Sequence, residues 1–265
     1  MTDGTKSFAN AWPVAWTFHR ASSRWTYNAG VSDEDSLVPG PTLEHHDAAY
    51  TPLPEPIPLE PMDGLLRRRF SCRRFAKTPV SLADLSSLLF AAYGILGRRS
   101  IGPLELLERG VPSAGGLNPL ELYVLVRSVS DLAPGVYHYN STTHGMELRR
   151  ESLVPELLIT YLFMGQSYAA SAACVIVVTG VPQRSFPKYG DRGYRYMLLE
   201  AGHVGQNLTL TAVALNLGVC SLGGFFDDEL GELLRLDARE QPLLYCLAVG
   251  VPESGDRDHL RFIEA

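Results

Sequence analysis

Arg67, Arg68, Arg69, Arg73 and Arg74 fall within the eight residues 67–74, with Ser71 between Arg69 and Arg73. Guanidinium groups are planar forks of donors that match phosphate oxygens, and a hydroxyl among them adds one more donor. The grouping suits one phosphate; a solvated basic face is the plainer alternative. A second constellation is Lys188 beside Tyr189 in "KYGDRGYRYMLLEAGH" (188–203). Two groups that titrate in the basic range stand at the mouth of the longest apolar helix, either as exposed polar residues or as a catalytic pair aimed at a bound cofactor. Two glycine loops complete the set. Ser113, Ala114, Gly115 and Gly116 in "VPSAGGLNPLELYV" let a flat ligand approach backbone closely, and Gly223 and Gly224 in "CSLGGF" can aim N–H groups at a ring nitrogen or carbonyl. For both loops a simple turn is the bland alternative.

Other chemistries are poorly supported. No G-x-G-x-x-G follows a strand and no G-x-x-x-x-G-K-[ST] occurs, so neither standard dinucleotide nor P-loop binding is indicated. "GQSYA" (165–169) approaches a serine-hydrolase elbow but ends in Ala169. His45 and His46 with Asp47, and His138 with His144, lack further metal ligands, so no metal site is expected. His203, on the long helix, reads as a satisfied core histidine.

The elements that must position these residues are legible from periodicity. Pro39, Pro41, Pro52, Pro54, Pro56, Pro58 and Pro61 block helix interiors and central strands, so residues 1–58 read as a proline-rich arm on a body of residues 59–265. Trp12, Trp16 and Trp25 imply that parts of the arm dock. A helix spans Met62 to Arg69, and another opens at Ser81, its N-cap, with Leu82, Leu85, Leu88, Leu89 and Ala92 as its apolar stripe. Strands are expected at 121–127, 135–140, 145–150, 173–180 and 243–250, the second and third as antiparallel neighbours. Helices are expected at about 152–165, 191–217 and 228–235. The 191–217 helix carries apolar and small residues on all sides, which requires burial on every face, either centrally or at a subunit interface, with Gly218 as its stop. Strands do not alternate regularly with single helices, so the fold class is α+β.

Composition narrows the partners. A net charge of -6 argues against general affinity for nucleic acid or anionic membrane. No stretch approaches the roughly 18 apolar residues of a membrane helix, and the N-terminus lacks the features of a secretory signal. Cys174, Cys220 and Cys246 lie in apolar surroundings and, with Cys72, form no C-x-x-C pair, which suits buried thiols in the cytoplasm.

Taken in order, "RRRFSCRRF", "VPSAGGLNPLELYV", "GVYHYN", "KYGDRGYRYMLLEAGHVGQNL", "LGVCSLGGFFDDEL" and "LAVGVP" resemble the SagB-type branch of the nitroreductase family, over about residues 60 to 252. "FHRASSR" (18–24) looks like that branch's leader segment. The resemblance implies a nitroreductase-like fold, with an antiparallel or mixed central sheet flanked by helices and the long helix at a homodimer interface with FMN between subunits. It implies that Arg69, Phe70, Ser71 and Arg73 hold the phosphate and ribityl chain. Ser113 and Gly115 would then lie near the flavin ring, and Leu222, Gly223 and Gly224 would face its N5 and O4 edge, with Arg257 as a further basic contact. Lys188 and Tyr189 match the pair proposed as catalytic in azoline dehydrogenases. A nearby ammonium favours phenolate and a partly dry site favours neutral amine, so either could serve as base. Where relatives carry an aromatic, this chain has Asn118, and Phe70 and Cys72 stand at variable positions.

Three functions follow from the resemblance. The first is FMN-dependent oxidation of a thiazoline or oxazoline on a peptide or carrier-bound natural-product intermediate. The second is NAD(P)H-dependent reduction of nitro groups or quinones. The third is a flavin-binding scaffold subunit of a biosynthetic complex, for which the proline-rich arm would suit docking.

Overall fold

The computed structural model describes residues 11–23 and 51–255. Its centre is a six-stranded sheet in the order β5-β4-β3-β6-β8-β7, every neighbouring pair antiparallel. The strands are β3 (Leu120–Val126), β4 (Gly135–Asn140), β5 (Gly145–Glu151), β6 (Cys174–Gly180), β7 (Gly218–Leu222) and β8 (Leu243–Gly250). β6 lies mid-sheet and all seven of its residues are buried, as its unbroken apolar run requires. Because successive strand residues point to opposite faces, the sheet divides the core in two. Leu122, Val124, Ile176, Val178, Leu247 and Val249 face one apolar cluster, while Tyr123, Leu125, Val175, Val177, Cys246 and Ala248 face the other.

Helices cover both faces, which makes the fold α+β, as expected. The first cluster is covered by α3 (Leu82–Tyr93) and α7 (Arg192–Ala214), the second by α4 (Glu156–Leu162), α5 (Ser167–Ser171) and α8 (Asp227–Leu234). α3 is capped as expected: Ser81 Oγ accepts from the Asp84 N–H at 3.0 Å. Its Leu85, Leu88, Leu89 and Ala92 are buried. Two further helices, α1 (Pro13–Ser23) and α2 (Met62–Arg68), precede α3. α6 (Pro182–Tyr189) is discussed with the site.

Several expectations need correction. Part of the segment read as an arm is helical. α1 buries Ala15 and His19 against the body, with the Trp12 ring edge-on to Phe186 at 4.8 Å. Residues 51–59 are exposed and irregular, as their prolines require, and residues 24–50, with Trp25, His45 and His46, lie outside the described set. The expected 152–165 helix is the shorter α4, and Met164 and Gly165 in the left-handed region separate it from α5, which was not expected. A hairpin of β1 (Ile95–Ile101) and β2 (Leu104–Arg109) was not foreseen, because its residues are largely exposed and carry little apolar alternation.

α7 is the expected long helix, but it is not buried all round. Met197, Ala201, Val204, Leu208 and Ala212 face the core, whereas Leu198, Leu199, Gly202 and His203 form an open face. His203 is therefore no core histidine in this chain. The helix stops because Asn216 adopts φ 58, with Leu217 N–H bonding back to the Ala212 carbonyl; Gly218 already belongs to β7.

Candidate active site

Lys188 and Tyr189 are not at the start of the long helix. They end α6, a separate eight-residue helix that Pro182 opens and Gly190 closes, and α7 begins only at Arg192. Gly190 supplies φ 56 for the reversal between the two helices. Lys188 Nζ lies 5.2 Å from the centre of the Tyr189 ring, and Tyr189 meets Tyr196 of α7 edge-on at 4.9 Å. The pair is thus held by both helices.

Opposite the pair stands the glycine loop that leads into β3. Gly115 has φ 64 in a single 3-10 turn, Ala114–Gly116. A Cβ at Gly115 would lie 2.7 Å from Tyr189 Oη and 2.8 Å from Lys188 Nζ. A side chain there would have to displace both side-chain tips and sit at a φ that favours glycine, and two sequence constellations some seventy positions apart form one cluster.

The loop is fixed from behind by a buried network. Ser113 Oγ accepts from Asn118 N–H at 2.9 Å and is hydrogen-bonded to Glu200. Glu200, 2% exposed on α7, also accepts from Tyr93 Oη at 2.8 Å, and that same oxygen accepts from Leu120 N–H at 3.1 Å. Arg109 stacks over the Tyr93 ring at 4.1 Å and donates to the Tyr93 carbonyl. Burial raises the Glu200 carboxyl above its ordinary range, opposed by its bonds to Ser113 and Tyr93 and by Arg109. Burial, then the Glu200 charge, raises the Tyr93 phenol well above 10. Asn118, at φ 47, is 8% exposed and donates through Nδ2 to the Leu107 and Gly116 carbonyls at 3.1 and 3.0 Å. Its amide therefore locks the loop to β2.

The arginine cluster lies at the other side of the sheet. Ser71 makes a parallel bridge with Val219, and Cys72 N–H bonds the Val219 carbonyl at 3.0 Å, so the R-x-S-x-R segment runs beside edge strand β7. A Cβ at Gly218 would lie 2.5 Å from Cys72 Sγ, which explains a glycine there. Arg69, Ser71 and Arg73 are exposed, while Phe70 packs half-buried on the second core cluster. Arg73 also hydrogen-bonds Tyr168 of α5. β7 carries the chain to the second glycine loop, where Gly223 is exposed and the Gly224 carbonyl accepts from Gln166 Nε2 at 3.0 Å. Leu222 is fully buried. Arg257 lies outside the described residues.

Sequence reasoning missed Tyr93, Arg109, Glu121, Arg184 and Glu200. Glu200 had a signal: it interrupts the stripe Met197, Ala201, Val204, Leu208, where an inward carboxylate must find donors. Among the described residues no group of three His, Cys, Asp or Glu could hold a metal, and no helix is long and apolar enough to cross a membrane. All four cysteines are buried and free. A surface groove of about 1060 Å3 lies between α1 and α8 and is lined by none of the candidate residues.

Residues 66–251 match the nitroreductase family. This chain belongs to that family. MJ1384 of Methanocaldococcus jannaschii, a protein that carries a nitroreductase name, is 40% identical over 191 residues, 72% of this chain and 89% of that protein. The microcin B17-processing protein McbC of Escherichia coli is 27% identical over 172 residues, 62% of this chain and 59% of its own length. The solved McbBCD microcin synthetase of E. coli, with truncated pro-MccB17 bound, shares the fold at TM-score 0.71 and 20% identity, over 91% of this chain and 93% of the matched one. A nitroreductase-family structure from Desulfovibrio desulfuricans, in complex with FMN, aligns at TM-score 0.50 and 21% identity over 78% of this chain and 94% of its own.

Proposed function

We propose that this protein is an FMN-dependent dehydrogenase that oxidises a thiazoline or oxazoline, on a peptide or carrier-bound intermediate, to the thiazole or oxazole. The observation that carries the reading is the approach of Lys188 Nζ and Tyr189 Oη to the bare backbone of Gly115. The residues present fit the cofactor. Exposed Arg69, Ser71 and Arg73 offer charge-assisted donors for its phosphate, and a Cβ added at Gly223 would meet nothing within 4 Å, leaving space for a ring.

Aromatising the azoline removes a proton from the ring carbon beside the carbonyl and a hydride from its neighbour. FMN, when bound, supplies the hydride acceptor. Lys188 or Tyr189 takes the proton at Nζ or Oη, and the Gly115 loop fixes where the ring lies relative to both atoms. McbC, a peptide-processing protein by name, and the peptide-bound McbBCD complex support a peptide-borne substrate and a place in a multiprotein assembly. A cytoplasmic location accords with four free cysteines.

Lys188→Ala and Tyr189→Phe should each lower azoline oxidation by at least about 10²-fold, the scale of a lost general base, with FMN still bound. Turnover unchanged in both variants sinks the reading. The 40% identity to MJ1384 supports a second reading, NAD(P)H-dependent nitro or quinone reduction. Rapid bleaching of the flavin by NADPH without an azoline would favour it.

A further inference from the structure

We propose that Arg184 is a positioning residue for Lys188: its guanidinium, forked between the Asn118 carbonyl and the Glu121 carboxylate, holds α6 against the glycine loop, with His138 holding Glu121. The inference rests on Lys188 being a site residue. Arg184 and Lys188 are four apart on α6 and so share a face. Arg184 Nη1 donates to the Asn118 carbonyl at 3.2 Å, and Nη2 pairs with Glu121 Oε1 at 2.5 Å. One turn later the same face brings Lys188 to Gly115. α6 needs such an anchor, because a helix of eight residues with Pro187 inside it has little stability of its own.

The second carboxylate oxygen of Glu121 is engaged as well. His138 Nε2 lies 2.8 Å from Glu121 Oε2, and His138 Nδ1 lies 2.9 Å from Glu147 Oε2. An imidazolium donates to both carboxylates at once, whereas a neutral ring has one N–H to give. The bond to Glu121 raises the His138 pKa most, burial opposes it, and the bond to Glu147 raises it further. The other groups around this cluster are Arg109 of β2, Tyr123 of β3, whose ring centre is 5.1 Å from that of His138, and Arg149 of β5. The fork is therefore fully braced below the ordinary histidine value of 6.5 and slackens as pH rises through the raised one.

The test exploits the three lysines of the chain, Lys6, Lys77 and Lys188. The full-length, FMN-saturated protein is trace-labelled with acetic anhydride, and the ratio of Lys188 to exposed Lys77 modification is read by mass spectrometry across pH 5–9. Arg184→Ala and Glu121→Gln should each raise the ratio roughly threefold, the size a half-exposed ion pair supports. The double variant should go no further than either, because the two residues act as a unit. In the wild type the ratio should step upward as His138 loses its proton, and His138→Gln should remove the step. Should Arg184→Ala unfold, Arg184→Lys keeps the charge without the fork and gives the same reading. A ratio unchanged in Arg184 and Glu121 variants with native circular dichroism overturns the proposal, as does a step that survives His138→Gln. Labelling needs no turnover, so its failure is separable from retained azoline oxidation in Lys188→Ala.

Discussion

At the scale of single residues, the site depends on what Gly115 lacks. A methyl group there would enter the space of Tyr189 Oη and Lys188 Nζ and would also force a β-carbon into φ 64. Gly115→Ala is thus expected to cost about 1–2 kcal/mol in stability, from left-handed backbone alone. It should lower azoline turnover far more than thermal stability; a variant with full turnover would contradict the placement. Gly115 stood out as a place where backbone can be approached closely, and Lys188 with Tyr189 as an adjacent titratable pair, although the sequence put that pair at the mouth of the long helix and the structure puts it at the end of α6. Glu200 and Tyr93 were not, because a carboxylate and a phenol in helical runs read as ordinary until the fold turns both toward Ser113 and Leu120.

Among elements, α1 changes most between sequence and structure. Its Ala15 N–H bonds Asp191 Oδ1 at 2.8 Å, in the turn between the two helices that carry and support the Lys-Tyr pair, and His19 Nδ1 lies 2.8 Å from Tyr194 Oη. The seam titrates. Burial, aided by Arg20, lowers His19 to about 4 from 6.5, so the stability it contributes is complete above pH 6.5 and lost as pH falls toward 4. Burial raises Asp227, bonded to Ser23, to about 7 from 3.8, so its contribution is complete below 3.8 and lost as pH rises through 7. Between about pH 4 and 6.5 the two slopes oppose each other. Asp227→Asn removes one of them: relative to the wild type, the variant should gain on the order of a few kcal/mol at pH 8 and nothing at pH 4. Denaturant melts at the two pH values check this, and equal differences at both would refute it. The proline content pointed to extended chain, correctly for residues 51–59, but eleven helical residues upstream were hidden by the weak periodicity of a segment that buries little more than Ala15 and His19.

For the whole molecule, the question is how the two candidate half-sites would serve the one proposed ligand. The Arg69–Arg73 segment runs beside β7, whereas the Lys188 cluster stands at the start of β3. Those strands are three places apart in the sheet order, about 14 Å at the usual strand spacing. α7 meanwhile leaves Leu198 and Leu199 36% and 57% exposed beside Gly202. A second copy packed on that face would cover the leucines and could set the phosphate corner of one chain opposite the Lys-Tyr pair of the other. Leu199→Glu should accordingly shift sedimentation from dimer to monomer and release FMN together. A dimer that persists with flavin bound would place the contact elsewhere.

The chain's own order of residues determined five of the eight described strands (β3, β4, β5, β6 and β8), the capped helix at Ser81, the α+β class and the glycine, arginine and Lys-Tyr elements of the candidate site, because each is a local pattern of spacing or backbone need. Tertiary structure alone decided that Gly115 lies under Lys188, that Glu200 points inward and that Arg184 is forked between Asn118 and Glu121. Those facts depend on which elements pack together, and the partners are separated by dozens of residues whose periodicity says which face is apolar but not what it will meet.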